Sequence, residues 1–327
     1  MTKRVLVTGG SGFIGTHLMN LLLAKGHLVL NIDIFKPKLE SHIPYWKHCD
    51  IKNHDKLLEI SREFSPAHVF HLAAKANLNG ATIDDFPDNV VGTDNVVACV
   101  NELPSIRRFI HISTQYVVAP GVFPESDEFL QPYTAYGESK AEGERIVRRR
   151  CRKPWVIARP TNIWGPYHPA FPYEMWPYLE RRLYFHPGYK PTIKYYGYVE
   201  NAVWQLYRLG VDIDEDKVCG RVFYITDPPI NNLDWLDGFS LALSGKPARR
   251  IPRFLWRMLA YIGDLAKAVG LKVPISSDRF FRLTVNERIP YQRTIDMVGS
   301  SQISLEEGIR RSVNWYKNQK LQGKPIT

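Results

Sequence analysis

Apolar residues recur along the first half of this chain in two alternating rhythms. Short, nearly continuous runs (Val5-Leu6-Val7, Leu28-Val29-Leu30-Asn31-Ile32, His68-Val69-Phe70-His71-Leu72, Phe109-Ile110-His111-Ile112 and Trp155-Val156-Ile157-Ala158) have the length and hydrophobicity of strands buried on both faces. Between them the spacing turns helical: Leu57, Leu58, Ile60 and Phe64 follow Asn53, a residue suited to cap a helix N-terminus. Two further helices are predicted over about 88–103 and 133–150. Strands alternating with helices predict an α/β fold, a doubly wound parallel sheet with right-handed crossovers and helices on both faces. Ligands of such a sheet lie at the carboxyl ends of its strands.

The rhythm breaks at Gly165, where Pro166, Pro169, Pro172, Pro177, Pro187 and Pro191 interrupt any long periodicity. A smaller, mixed C-terminal domain is expected from there. The strand-like Val222-Phe223-Tyr224-Ile225-Thr226 is expected to rejoin the first sheet. The expected division is therefore 1–165 with a return segment 190–227 for the first unit, and 166–189 with 228–327 for the second, substrate-binding one. Ser304 and Glu307 have capping-box spacing ahead of a last helix. Phe254 to Val269 is amphipathic and the nearest candidate for surface attachment, but Arg257, Asp264 and Lys267 interrupt it, so a helix buried in the core is expected. No stretch reaches eighteen uncharged apolar residues, so no membrane span is expected.

The first strand runs directly into Gly9-Gly10-Ser11-Gly12-Phe13-Ile14-Gly15. Glycines at 9, 12 and 15 suit a tight turn, close approach to a pyrophosphate and close helix packing, with the helix N-terminus offering N–H groups to the anion. Asp33 ends the second run, where a carboxylate accepts hydrogen bonds from both ribose hydroxyls of an adenosine and repels a 2′-phosphate. This favours NAD over NADP, although Lys36 is close enough in sequence to tolerate the phosphate.

Composition adds a modest constraint. The 327 residues are 44% hydrophobic and 23% charged, as in an ordinary globular protein, but the net charge is +10. That excess suits an anionic partner such as a diphosphate-bearing small molecule, although part of it is local, from Arg145 to Lys153 at a predicted helix end. Cys49, Cys99, Cys151 and Cys219 are scattered, with neither a disulfide framework nor a metal site, and the first strand begins within four residues of the start. A reducing, cytoplasmic setting is expected, with no metal and no nucleic-acid partner.

Tyr136 and Lys140 sit four apart on a predicted helix and so share one face. An ammonium beside a phenol favours the phenolate, which could exchange a proton with an alcohol while hydride moves to a nicotinamide. Ser113-Thr114 ends a strand at the same edge, where a hydroxyl could share that proton.

With Thr8-Gly9-Gly10-Ser11-Gly12-Phe13-Ile14-Gly15, Asp33, Asp50-Ile51, His71-Leu72-Ala73-Ala74, Asn89, Gly92-Thr93, Ser113-Thr114, Tyr136-Gly137-Glu138-Ser139-Lys140 and Arg159-Pro160-Thr161-Asn162-Ile163-Trp164-Gly165-Pro166, the first half resembles the extended short-chain dehydrogenase/reductase family. The nucleotide-sugar epimerase and dehydratase branch matches best, and the second half matches only loosely. The resemblance implies a Rossmann sheet binding NAD. Gly9, Gly12, Phe13, Ile14 and Gly15 would line the pyrophosphate, Asp33 the ribose, and Asp50 and Ile51 the adenine. Ala73, Ala74, Lys75, Asn89 and Pro160 would flank the cofactor, and Lys140 would hold the nicotinamide ribose. Tyr136 would be the acid/base and Thr114 its partner, with Ser113 a weaker one, and Asn162 would approach the substrate diphosphate. A homodimer through the helices bearing 88–103 and 133–150 is also implied.

Two departures narrow the reaction. In the 4,6-dehydratases an aspartate and a glutamate follow the hydroxyl residue, and decarboxylating relatives also place a glutamate there. Here the positions are Gln115 and Tyr116, which suit neither role. What remains is epimerisation of a nucleotide-diphosphate sugar, at C4 through a keto intermediate, or a ketoreductase or dehydrogenase half-reaction. Asp33 tilts the choice toward epimerisation. Lys194 stands where the family commonly has an arginine, retaining charge without the bidentate fork, and Arg181, Arg182 or Arg279 could supply the diphosphate contact. A dehydrogenase of a hydrophobic, sterol-like alcohol and a dinucleotide-sensing regulator are the alternatives. A pocket lined by aromatics without clustered cations would favour the former.

Overall fold

The apolar runs become the strands of one seven-stranded sheet in a computed structural model that describes residues 1–76, 80–268, 270–271 and 275–322. In chain order these are β1 (Arg4–Thr8), β2 (Leu28–Asp33), β3 (Trp46–His48), β4 (His68–His71), β5 (Arg108–Ile112), β6 (Trp155–Pro160) and β7 (Arg221–Ile225). Their spatial order is β7-β6-β5-β4-β1-β2-β3, with every pairing parallel. The order reverses between β1 and β4, the position at which a doubly wound sheet opens a ligand crevice. β7 is the expected returning strand. β3 escaped the sequence pattern because it is three residues long and mostly exposed.

Helices cover both faces. They are α1 (Phe13–Ala24), α2 (His54–Phe64), α3 (Thr93–Glu102), α4 (Ala135–Arg150), α5 (Val199–Tyr207), α6 (Asn232–Ser244), α7 (Arg253–Ala268), α8 (Ser277–Thr284) and α9 (Leu305–Leu321), besides shorter turns. Asn53 caps α2 by accepting from the Lys56 N–H, and Ser304 caps α9 by accepting from that of Glu307. The helix expected from residue 88 begins instead as a π-helical turn, Asp88–Gly92, and only then becomes α3. Within that turn Asn89 is fully buried and its amide is taken by Lys75 and Ser139, an arrangement that favours local widening over regular winding.

The region after Gly165 folds onto the same core. Trp164, Trp176, Phe239 and Tyr316 are buried in one apolar cluster with Val5 and Ile110 of the sheet and Leu18 of α1. Short strand pairs stitch the C-terminal segments together: Asn162–Trp164 with Tyr196–Tyr198, Ile193–Lys194 with Ile230–Asn231, and Phe185–Pro187 with Arg249–Ile251.

The expectation that residues 254–269 form a buried helix is overturned. α7 forms, but it turns only Trp256, Ala260 and Gly263 inward. Phe254, Met258, Tyr261, Ile262 and Leu265 are 59–67% exposed. Trp256 and two small residues, Ala260 and Gly263, lie on the protein-facing side, and the other large apolar residues lie on the opposite side. Val269 lies outside the described residues.

Candidate active site

The crevice between β1 and β4 is built by backbone turns that the sequence enforces. Gly9 has φ +77°, and a Cβ there would stand 2.5 Å from the Ala73 nitrogen. At Gly15 a Cβ would lie 2.2 Å from the Gly9 carbonyl oxygen, so only glycine lets α1 approach the turn this closely. No side chain caps α1 at Gly12, which leaves its first-turn N–H groups aimed out of the loop. Asp33 accepts the Ser11 N–H at 3.0 Å and the Phe35 N–H at 2.9 Å, tying the end of β2 to the glycine turn. Burial nevertheless raises its carboxyl above the ordinary range, against the opposing pull of those N–H bonds.

Around this cradle stand the other residues singled out for a cofactor. Asp50 accepts the Lys52 N–H and pairs with the Lys52 ammonium at 3.3 Å. Ile51 is buried against Gly92. Ala73 and Ala74 follow β4, and the Lys75 N–H donates to Asn89 Oδ1 at 2.8 Å. Asn89 therefore braces the β4 loop against α4, with no free amide edge for a ligand. Pro160 ends β6 and pairs in register with Ile225. Lys36 is exposed beyond β2.

α4 starts at its cap Thr134, which accepts the Gly137 N–H, and carries Tyr136 and Lys140 on one face. Tyr136 is hydrogen-bonded to Thr114 and its ring lies against those of Phe86 and Tyr116. The expected acidification of the phenol is not what the protein groups produce. Burial pushes Tyr136 up to about 12, with the Thr114 bond opposing and Tyr116 reinforcing the rise. Burial also brings the Lys140 ammonium down to about 8, against the pull of Glu144. Beneath Lys140 the imidazoles of His71 and His111 are fully buried and held well below their usual range, first by burial and then by the Lys140 charge.

The sequence reading missed a polar network under this face. Glu144, one turn beyond Lys140, is wholly buried and accepts two Arg159 bonds at 2.8 Å each and the Ser113 hydroxyl at 2.6 Å. Arg159 also donates to the Tyr224 hydroxyl at 3.1 Å. Ser113, expected to face substrate, is turned inward by this carboxylate. The signal was present as a third polar residue at four-residue spacing after Tyr136 and Lys140.

A cavity of about 410 Å³ opens beside the crevice. It is reached by Gln115 and Tyr116, which follow Thr114, and includes three of the residues singled out for substrate: Asn162, Lys194 and Arg279. The Lys194 ammonium is engaged by Glu287 at 3.0 Å and by the Arg282 carbonyl at 2.6 Å, so its charge is already balanced. Arg282 and Arg288 join Arg279 in the wall, whereas Arg181 and Arg182 stand outside it. Arg182 instead donates to the Lys246 and Pro247 carbonyls.

A sequence model of the NAD dependent epimerase/dehydratase family matches residues 5–201. A 3beta-hydroxysteroid-dehydrogenase/decarboxylase of Arabidopsis thaliana is 27% identical, over 98% of this chain and 81% of its own length. A UDP-glucose 4-epimerase of Mycolicibacterium smegmatis is 30% identical over 50% of this chain and 57% of its own, and other curated relatives are likewise matched over about half their length. Among solved structures, the UDP-glucose 4-epimerase of Thermotoga maritima, determined with UDP-glucose, superimposes with a TM-score of 0.73 at 20% identity, covering 97% of this chain and 99% of that one.

Proposed function

The chain belongs to the NAD dependent epimerase/dehydratase family, and from that premise we propose that it is an NAD-dependent epimerase of a nucleotide-diphosphate sugar, acting at C4 through a keto intermediate. The observation that carries this reading is the cavity wall. Arg279, Arg282 and Arg288 line it with Asn162, next to the Tyr136–Thr114 pair, and of these Arg282 is paired with Asp278 at 2.7 Å. Clustered guanidiniums suit a diphosphate, while an apolar alcohol has no use for them.

The cradle fits a dinucleotide. Gly9, Gly12, Phe13, Ile14 and Gly15 would hold the pyrophosphate, Asp33 the adenosine ribose, Asp50 and Ile51 the adenine, and Ala73, Ala74, Lys75 and Pro160 the remaining edge. Asn89 acts through Lys75. NAD, when bound, supplies a hydride acceptor and donor. Tyr136 takes the sugar hydroxyl proton as the carbon is oxidised and returns it on reduction, with Thr114 keeping the phenol in place and Lys140 supplying positive charge to the phenolate. Elimination of water would need an acid and a base where Gln115 and Tyr116 stand. Burial holds the Tyr116 phenol above its ordinary range, which suits neither role. A homodimer through α3 and α4 is part of the same proposal.

The aromatic part of the wall, Phe171, Tyr184, Tyr196 and Trp235, supports dehydrogenation of a sterol-like alcohol as a second reading, as does the long match to a hydroxysteroid enzyme. One experiment separates the two. The purified protein is assayed with a panel of nucleotide sugars, the product stereochemistry is read by NMR, and a 3β-hydroxysteroid with NAD is run in parallel. Inversion at one ring carbon with no net NADH is expected. NADH formed from the steroid, with every sugar unchanged, would overturn the epimerase reading.

A further inference from the structure

We propose that the outward face of α7 is an interfacial surface that docks on an anionic phospholipid bilayer. At 100° per residue, the apolar side chains from Tyr261 on one edge to Leu259 on the other cover an arc of roughly 160° that contains no charge. An amphipathic helix of a globular protein ordinarily turns such a stripe toward its core. Here the stripe points to solvent, and the contact holding the helix to the protein rests on Trp256, Ala260 and Gly263.

Charge selects what covers it. Residues 246–284 carry nine Lys or Arg against two Asp, without a glutamate. Arg279 and Arg282 belong to the cavity wall and Arg250 pairs with Asp237, while Arg253 and Arg257 line the α7 crevice and Lys267 is exposed on the same helix. Of the two acids, Asp264 is turned toward α8, where it accepts the Ser277 N–H at 3.1 Å. Between α7 and α8 runs a crevice of about 790 Å³ lined by Phe254, Met258, Tyr261, Ile262 and Phe280, with Arg253 and Arg257 in the same wall. Arg257 lies over the Phe280 ring, 5.4 Å from its centre. An apolar slot framed by guanidiniums matches acyl chains below phosphate headgroups, and a basic helix with a wide apolar arc is the form that lies in a membrane interface. A second copy fits less well. Two convex helices cover only part of each other's arc, and pairing would bring two cationic surfaces together.

The face also stands one helix from the chemistry. Phe280 and Thr284 of α8 line the crevice, while Arg279, Arg282 and Leu283 line the substrate cavity from the same helix. A docked molecule therefore holds the wall of its cavity next to the bilayer. This inference is independent of which substrate the cavity takes.

The test is co-sedimentation of the full chain with vesicles of phosphatidylcholine, with and without about 30% phosphatidylserine, alongside a Met258→Glu/Ile262→Glu variant and Arg257→Glu. Both glutamates fall on the exposed arc, so folding, checked by circular dichroism and melting, is expected to be retained. Binding to the anionic vesicles should exceed binding to the neutral ones by about tenfold or more, drop with added salt, and fall about tenfold in the double variant. Arg257→Glu should lower it less. Equal binding to both vesicle types, undiminished binding by the double variant, or no binding at low salt would overturn the proposal. So would a dimer in analytical ultracentrifugation that the double variant splits, since the face would then belong to a second copy.

Discussion

The two ends of this chain are built on different physics. From β1 to β6 an aliphatic sheet core is joined by turns only glycine can make and by buried polar groups that satisfy one another: Asp33 with Ser11, Asn89 with Lys75 and Ser139, Glu144 with Arg159 and Ser113. From Trp164 onward the same core continues as aromatic packing, Trp164 on Tyr198 and Phe239, Trp176 on Phe239, Trp235 on Tyr196. Polar pairs fix atoms to within a hydrogen bond, which proton and hydride transfer require. Aromatic packing tolerates change of shape as long as volume is kept, which suits a wall that must fit one substrate rather than another.

The largest loss is expected where the polar half meets the chemistry, at Tyr136. Tyr136→Phe removes one oxygen and leaves the ring contacts to Phe86 and Tyr116. Turnover should fall by about 10²–10⁴-fold, the usual contribution of a positioned acid/base, while NAD affinity measured by calorimetry stays within a few-fold. Undiminished turnover would remove Tyr136 from its assigned role. Glu144→Ala attacks the support beneath. It leaves the Arg159 guanidinium buried without its carboxylate and frees the Ser113 hydroxyl, so urea unfolding should show a loss of about 3–5 kcal/mol. Glu144→Leu/Arg159→Met should recover most of it, because replacing both charges removes the unpaired one. A single-variant loss below about 1 kcal/mol would mean that the network is not what holds this half together.

The same contrast explains what the sequence made legible. Gly9, Gly15 and Asp33 act within a few residues of local chain or across one β-α-β unit, so spacing alone marks them. Asn53 and Ser304 cap their helices for the same reason. Glu144 was in reach, since it continues the four-residue spacing of Tyr136 and Lys140, but its partners lie far off in the chain, Arg159 on β6 and Ser113 just after β5. Lys194 and Glu287 meet across 93 residues with no periodic pattern between them, and the balanced charge of Lys194 could not be inferred. α7 is the sharpest case. Its pattern fixes that one face is apolar, and nothing local fixes on which side of that face the protein lies.

A smaller change is expected from the charge of Lys140. Its ammonium is brought from 10.5 down to about 8 by burial, so between those values the unfolded chain binds more protons than the folded one. Stability contributed by this group therefore rises with pH across that window. Below about 8 both states are protonated and the folded protein bears the full cost of a buried charge; above 10.5 neither does. Tyr136 acts in the opposite sense and later, since its phenol is raised to about 12 and the unfolded chain ionises first above 10. Other thiols and phenols titrate in the same range, so the informative quantity is a difference. The stability of the parent protein minus that of Lys140→Met, from urea unfolding, should increase by about 2 kcal/mol between about pH 7.5 and 9.5. A difference that stays flat across that interval would mean that the ammonium is solvated or paired in the native state. The buried positive charge assigned to the phenolate would then have to come from elsewhere in the crevice.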